Sequence, residues 1–307
     1  MTKKRPLLFS TASYDYLREA IARSRGFETG RLERKSFPDG ERYRRLLSNV
    51  NDRNVVVVGG TITDQDTLEL FDLCCALSKY GAETLRVVVP FFGYSTMERA
   101  VKDGEVVTAK TRARLLSAIP VASHGNTFYF LDLHAEGIPH YLEGDITARH
   151  IYAKPVIMRI ARKLAAGRRF VLASTDAGRA KWVESLARDM GVPPAFAYKS
   201  RIDGSTVESR GVNGPVKGAL VILYDDMIRT GGSLIEAGKA YKAAGASEIV
   251  VVATHGLFPN KGLDRLQDSG LFTRVVTTDS HPNAVKLAGD FLTVTSVAHL
   301  LASKVKK

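Results

Sequence analysis

The sequence predicts an α/β protein made of two similar domains with mainly parallel sheets. Three observations carry this expectation. Short apolar runs rich in β-branched residues recur along the chain, helical periods separate them, and a glycine stands just past four of those periods.

The strand-like runs are Asn54–Gly59, Leu85–Pro90, Phe128–Leu133, Phe170–Ser174, Ala219–Asp225, Glu248–Thr254 and Arg274–Thr278. Most are apolar at consecutive rather than alternate positions, as strands covered on both faces must be. Helical periods occupy Tyr14–Arg25, Asp66–Tyr80, Lys110–Ile119, Ile151–Ala166, Arg179–Met190 and Gly232–Ala244. Gly81, Gly167, Gly191 and Gly245 follow four of them, where helices end in left-handed backbone. Alternating strand and helix argues for parallel sheets. The alternation runs twice with a break near residues 140–152, giving domains at 1–149 and 150–307. A chain of 307 residues also exceeds one ordinary core.

Composition narrows the class. The chain is 45% hydrophobic and 25% charged, as soluble globular proteins are. No apolar run reaches the ~20 residues of a membrane span, and the basic N-terminus has too short an apolar stretch for a signal peptide. The expected location is cytoplasmic. Cys74 and Cys75 are neighbours in a helical period, a spacing suited to core packing rather than to a disulfide or metal site. The net charge of +12 is scattered, with short basic runs at Lys3–Arg5, Arg42–Arg45 and Lys304–Lys307 and no nucleic-acid-binding signature. A nucleic-acid partner is therefore not expected, and a positive field equally suits phosphorylated substrates.

The densest chemistry lies in Ala219–Ser233. A buried strand leads to Asp225 and Asp226, then Arg229, Thr230, Gly231, Gly232 and Ser233, and a helical period follows. Gly231 and Gly232 tolerate backbone angles that turn successive amides inward. With the hydroxyls of Thr230 and Ser233 and the helix start, these amides make an anion nest. The two aspartates suit the other end of a ribose, accepting from its hydroxyls or holding magnesium. A plain strand-to-helix turn would need only the hydroxyl cap, without the acid pair.

This stretch resembles the phosphoribosyl-diphosphate (PRPP) binding motif of type I phosphoribosyltransferase folds. Other segments stand around it in order: Phe37–Glu41 (FPDGE), following a helix, Gly93–Lys110, Leu131–Glu136 (LDLHAE), Ala173–Arg179 (ASTDAGR), Lys199–Arg201 and Ala253–Phe258 (ATHGLF). Together they resemble the ribose-phosphate pyrophosphokinase family, from about residue 35 to about residue 280. The resemblance implies two phosphoribosyltransferase-like domains, ATP and ribose 5-phosphate as substrates, Mg2+ as cofactor, and a homo-oligomer, dimeric or dimer-based.

The same resemblance implies residue roles. Lys199 and Arg201 match the cations of the family's catalytic loop, here expected to span 199–214 and to close over phosphates. His134 matches a magnesium-ATP ligand and Asp176 a second magnesium-associated residue. Phe37, Asp39 and Glu41 match the segment that holds adenine, and Arg99 the phosphates. Asp132 is a weaker candidate beside His134.

Three departures stand out. After Gly93-Tyr94 the family's Ala-Arg-Gln-Asp-Arg is replaced by Ser95-Thr96-Met97-Glu98-Arg99, so the adenine-covering arginine is Thr96 and the glutamine Met97. Val101–Thr108 resembles a shorter loop type than the one that binds regulatory phosphate or ADP. Arg229 adds a positive charge where the family commonly has aspartate or serine. These changes keep a second class open, a non-catalytic binding or regulatory protein on the same fold. A phosphoribosyltransferase, a third, would need only one such domain.

Overall fold

Chain order begins with β1 (Leu7–Ser10), α1 (Asp15–Ala22), β2 (Glu28–Thr29) and a hairpin of β3 (Leu32–Ser36) and β4 (Arg42–Leu46). Next come β5 (Asn54–Val58), α2 (Asp64–Lys79), β6 (Thr84–Val89), α3 (Thr108–Ser117), β7 (Asn126–Leu131) and β8 (Ile146–Ile151). Then follow α4 (Lys154–Ala165), β9 (Phe170–Ser174), α5 (Ala180–Met190), β10 (Pro194–Arg201), β11 (Glu208–Asn213) and β12 (Leu220–Ile228). The chain closes with α6 (Gly232–Ala243), β13 (Glu248–Gly256), α7 (Gly262–Asp268), β14 (Arg274–Thr278), α8 (Pro282–Lys286), β15 (Leu292–Thr295) and α9 (Ala298–Val305). The computed structural model describes residues 4–24, 26–201 and 208–306, except for the side chains at 177, 199–201 and 208–210.

These elements form two compact units, Met1–Tyr152 with Ser296–Lys307, and Ala153–Thr295. Residues 296–307, expected in the second domain, belong to the first because α9 packs on α1 and buries Leu301, Ala302 and Val305. Arg86 of β6 also donates to the Val305 carbonyl at 3.1 Å.

The first unit holds a six-stranded sheet in the order β2-β1-β5-β6-β7-β8, with every pairing parallel. Val55–Val58 are all buried, which is why this run reads as continuously apolar. Thr63 and Asp66 form a capping box that starts α2 and aims Leu70, Leu73 and Leu77 into the core with Val57, Val87 and Phe128. The β3–β4 hairpin is a separate antiparallel pair.

The second unit holds seven strands in the order β11-β10-β9-β12-β13-β14-β15. Only β10 and β11 are antiparallel. From β9 the chain moves outward to β10, then returns to place β12 on the other side of β9. The C-terminal ends of β9 and β12 therefore flank a topological switch point, the place where such sheets open a crevice for ligands. Val221, Leu223, Val251, Ala253, Leu234 and Tyr241 fill the core beneath it.

Three local expectations change. The helix expected at Ile151–Ala166 begins at Lys154, because Ile151 pairs with Leu131 and Pro155 supplies the first-turn φ. The stretch 199–214, expected as a loop, is largely the hairpin of β10 and β11, in which Lys199 pairs with Arg210; residues 202–207 lie outside the described part. Phe37–Glu41 does not follow a helix but forms the tip of the β3–β4 hairpin. No described helix is long and apolar enough to cross a membrane.

Candidate active site

The acid pair sits at the end of β12. Leu220–Tyr224 are buried between flanking strands, and the register Tyr224↔Ser174 brings Asp225 beside the turn that leaves β9. Asp225 Oδ1 accepts from the Asp226 N–H (2.9 Å), and its Oδ2 accepts the Thr175 hydroxyl (3.2 Å). Arg179 reaches both acids: Nη2 pairs with Asp226 Oδ2, and Nε lies 3.9 Å from Asp225 Oδ1. Burial pushes the Asp225 carboxyl well above the usual carboxylate range; the Asp226 charge adds to this and Arg179 opposes it.

The loop that follows turns on Gly231, whose φ of +81° is left-handed. Gly231 caps α6, and its carbonyl accepts the Ile235 N–H (3.0 Å). The amides of Gly232, Ser233 and Leu234 thus lie in the first turn, where a helix provides no acceptor of its own. The loop is held from below. A Cβ on Gly231 would come within 2.9 Å of Leu266, and one on Gly262 within 2.4 Å of the Arg229 carbonyl. A Cβ on Gly232 would meet nothing within 4 Å. Arg229, Thr230 and Ser233 are exposed around this open space. First-turn amides, two hydroxyls and a guanidinium can together receive a phosphate group.

Asp176 belongs to the turn after β9. It is exposed, and its Oδ1 accepts the Arg179 N–H at 3.3 Å. The fold thus gathers Asp176, Asp225 and Asp226 around Arg179, a residue given no role by sequence reasoning. The signal was faint: an arginine three residues beyond a candidate aspartate, informative only once β9 and β12 are known to be neighbours. Lys199 and Arg201 have their backbone in β10, and their side chains lie outside the described part.

The first unit carries the remaining candidates. Phe37 is 47% exposed and meets Tyr43 edge-on at 6.3 Å. Asp39 Oδ1 accepts the Glu41 N–H (3.0 Å), which shapes the hairpin tip, and Gly40 turns at φ +94°. Arg99 is exposed and lies 3.5 Å from Glu98. His134 follows β7, beyond Asp132, which is buried with a φ of +38°. Sequence reasoning missed the histidine next to it. His150 Nε2 accepts the Leu133 N–H (2.9 Å), its ring lies tilted by 32° against Tyr152 with centroids 4.2 Å apart, and the Tyr152 hydroxyl donates to Glu136 (3.1 Å). Burial holds the His150 imidazole below its usual pKa, which suits its role as an acceptor.

Among the described residues, no group of three or more His, Cys, Asp or Glu side chains could by itself hold a metal ion. Magnesium takes only one or two carboxylates and completes its shell with water and phosphate oxygens. The hard oxygens of the Asp225–Asp226 pair fit that requirement, and the pair already draws a positive charge to itself in Arg179.

The chain is similar to known proteins over nearly its whole length. Residues 7–119 match the model of the N-terminal domain of ribose phosphate pyrophosphokinase, and residues 203–307 match the phosphoribosyl synthetase-associated domain. A ribose-phosphate pyrophosphokinase of Gloeobacter violaceus is 33% identical over 308 residues, covering 99% of this chain and 90% of that one. Ribose-phosphate pyrophosphokinase 5 of Arabidopsis thaliana, a chloroplastic form, is 30% identical over 302 residues, covering 97% and 75%. The crystal structure of phosphoribosylpyrophosphate synthetase from Mycobacterium smegmatis shares the fold with a TM-score of 0.86 and 27% identity, over 99% of this chain and 98% of that one. On its sequence and fold together, this chain belongs to the ribose-phosphate pyrophosphokinase family.

Proposed function

We propose that the protein is a ribose-phosphate diphosphokinase, moving the β,γ-diphosphoryl group of Mg-ATP to the 1-hydroxyl of ribose 5-phosphate. The sugar oxygen bonds to the β-phosphorus, the α–β bridging oxygen leaves with AMP, and the hydroxyl proton passes to solvent. The observation that carries this reading is the pairing, at one switch point, of the Asp225–Asp226 acid pair with the open Gly231–Gly232 turn. A sugar phosphate spans such a pair of sites, its hydroxyls on the carboxylates and its phosphate on the amides.

Positioning and charge neutralisation supply most of the catalysis in phosphoryl transfer. Thr230, Ser233 and Arg229, with the first-turn amides, hold the 5-phosphate. Asp225 and Asp226 orient the ribose hydroxyls, which fixes the line of attack. Lys199 and Arg201 bring positive charge to the transferred group, and Arg99 does the same for the ATP phosphates. Phe37 stacks on the adenine, with Asp39 and Glu41 at its edge. His134 in the first unit and Asp176 in the second are the residues that would hold magnesium, which would offset charge on the triphosphate. By the same reading the enzyme works in the cytoplasm as a homo-oligomer, dimeric or dimer-based.

The test is direct. Purified protein with Mg2+, ATP and ribose 5-phosphate yields AMP and PRPP in equal amounts, and Lys199→Ala reduces the rate by at least about a hundredfold. No AMP from the wild type, with Lys199→Ala indistinguishable from it, sinks the assignment. Thr96 and Met97 add a second readout, because they replace the family's adenine-covering pair. A donor panel of ATP, dATP, GTP and CTP reports how far base discrimination depends on that pair.

A further inference from the structure

Arg179 occupies the acid pair that the proposed reaction requires. Its side chain is only 19% exposed, and the carboxylates it contacts, Asp225 and Asp226, are 17% and 6% exposed. Its own N–H is donated to Asp176, so one residue touches all three acids of the centre. Neighbours fix the contact on both sides. Trp182, three residues further along at the start of α5, stacks on Tyr224 with ring centroids 4.2 Å apart and planes 10° from parallel. Tyr224 directly precedes Asp225, and its hydroxyl shares a hydrogen bond with Thr254 (3.2 Å). The arginine and the acid pair are thus held in register by a packed aromatic contact one turn away.

Two adjacent carboxylates with little solvent repel each other strongly, and a cation between them relieves the repulsion. Here the relief comes from within the chain. A divalent metal would need the same oxygens, because it binds through carboxylate lone pairs that the guanidinium already uses. A metal and a guanidinium cannot both take Asp226 Oδ2 without close like-charge contact.

We propose that Arg179 is a resident counter-cation that competes with divalent metal for the Asp225–Asp226 pair, so that metal binds there as the guanidinium withdraws. This rests on the reading that places the pair at the sugar end of the site, beside Asp176, one of the residues that would hold magnesium. The residue acts through the acids it occupies and is a positioning residue.

The experiment measures Mn2+ binding to the full chain at pH 8, without nucleotide or sugar, by the electron paramagnetic resonance signal of free Mn2+. The proteins compared are the wild type, Arg179→Gln, Arg179→Lys, and Arg179→Gln combined with Asp226→Asn. Loss of a two-pronged charged contact should tighten Mn2+ binding about tenfold or more in Arg179→Gln. Arg179→Lys, which keeps one charge but not the fork, should show a gain of a few-fold. Asp226→Asn should remove the gain. Equal or weaker Mn2+ binding in Arg179→Gln, or a gain that survives Asp226→Asn, overturns the proposal. Should Arg179→Gln fail to fold, Arg179→Lys carries the test, and affinity equal to wild type overturns it. No ATP is present, so failure of the diphosphokinase reading in the AMP assay is scored separately from failure here.

Discussion

Gly232→Ala separates the phosphate site from the fold that carries it. Gly232 is the first residue of α6, and a Cβ there would meet no atom within 4 Å. Alanine is favoured over glycine in a helix by up to about 1 kcal/mol. With a stability change of that size, the melting temperature should hold or rise by about 2–4 °C. The new methyl group, however, enters the space in front of the first-turn amides. A phosphate oxygen accepting from those amides needs an approach of about 3 Å. The expected result is ribose 5-phosphate affinity at least about tenfold weaker, or about 1.4 kcal/mol, in a protein no less stable than wild type. Gly231→Ala gives the opposite pattern of causes. Its φ of +81° costs an L-residue about 1–2 kcal/mol, and its Cβ would press on Leu266 at 2.9 Å. Its melting temperature should fall by about 4 °C or more. Differential scanning calorimetry and titration calorimetry with ribose 5-phosphate read the two effects separately. If Gly232→Ala binds ribose 5-phosphate as wild type does, the amides of this turn do not receive the phosphate and the reasoning fails.

Other consequences follow from single contacts. Burial, with the nearby His255 and Lys286 adding to it, lowers the pKa of His281 from 6.5 to about 3, and its Nδ1 accepts the Asn283 N–H at 3.2 Å. The unfolded chain therefore takes up a proton that the folded state refuses: stability is complete above about pH 6.5 and falls toward pH 3, by at most about 1.4 kcal/mol per pH unit. His281→Asn keeps an acceptor for Asn283 and should melt with a shallower pH dependence between pH 6.5 and 4.5; parallel curves would refute this. Asp225→Asn should remove the repulsion from Asp226, raising the melting temperature at pH 8 by a few degrees while abolishing AMP release. A lower melting temperature would refute the reading that, even with Arg179 in place, the charge on Asp225 costs the fold stability. Gly93→Ala should destabilise the first unit by about 2 kcal/mol or more, because its Cβ would fall 2.0 Å from the Thr61 carbonyl oxygen. A wild-type melting profile for this variant would contradict the close approach.

What the sequence made legible follows from burial. β5, β6, β7, β9, β12, β13 and β14 are interior strands covered on both faces, so their residues are apolar in succession. β8, at a sheet edge, alternates between half-buried and exposed side chains over Ile146–His150, and β10 alternates at Ala195–Tyr198. A search for continuous apolar runs passes over both. The β3–β4 hairpin stands apart from both parallel sheets, and its polar strands leave no apolar run to find. The site divides along a similar line. Asp225 through Ser233 lie on one strand, one turn and one helix start, so their proximity is local and visible in the sequence. Arg179 reaches Asp225 and Asp226, and His150 reaches Leu133, through strand pairing, β9 with β12 and β7 with β8, and a local window shows no more than Arg179 three residues beyond Asp176.

The two sheets share a plan but not an outcome at their switch points. In the first unit the order β2-β1-β5-β6 puts the corresponding point at the ends of β1 and β5. That point is filled by the chain itself. Arg34 of the hairpin donates to the Ser10 carbonyl and pairs with Asp15 (3.0 Å) and Glu69 (3.3 Å), and Glu69 Oε1 accepts the Ala12 N–H (3.0 Å). Glu69 is 3% exposed, and a Cβ on Gly60 would strike the Tyr14 hydroxyl at 2.4 Å. Side chains that would otherwise meet a ligand are here spent on one another, which leaves that crevice with neither an open turn nor an accessible acid pair. In the second unit the corresponding acids pair with Arg179, beside a glycine turn at which a Cβ would meet nothing within 4 Å. The same topology therefore yields one filled crevice and one with an open turn. The difference lies in side chains rather than in strand order: a buried Glu69 with two arginines near it closes the first, and Gly232 keeps the second open.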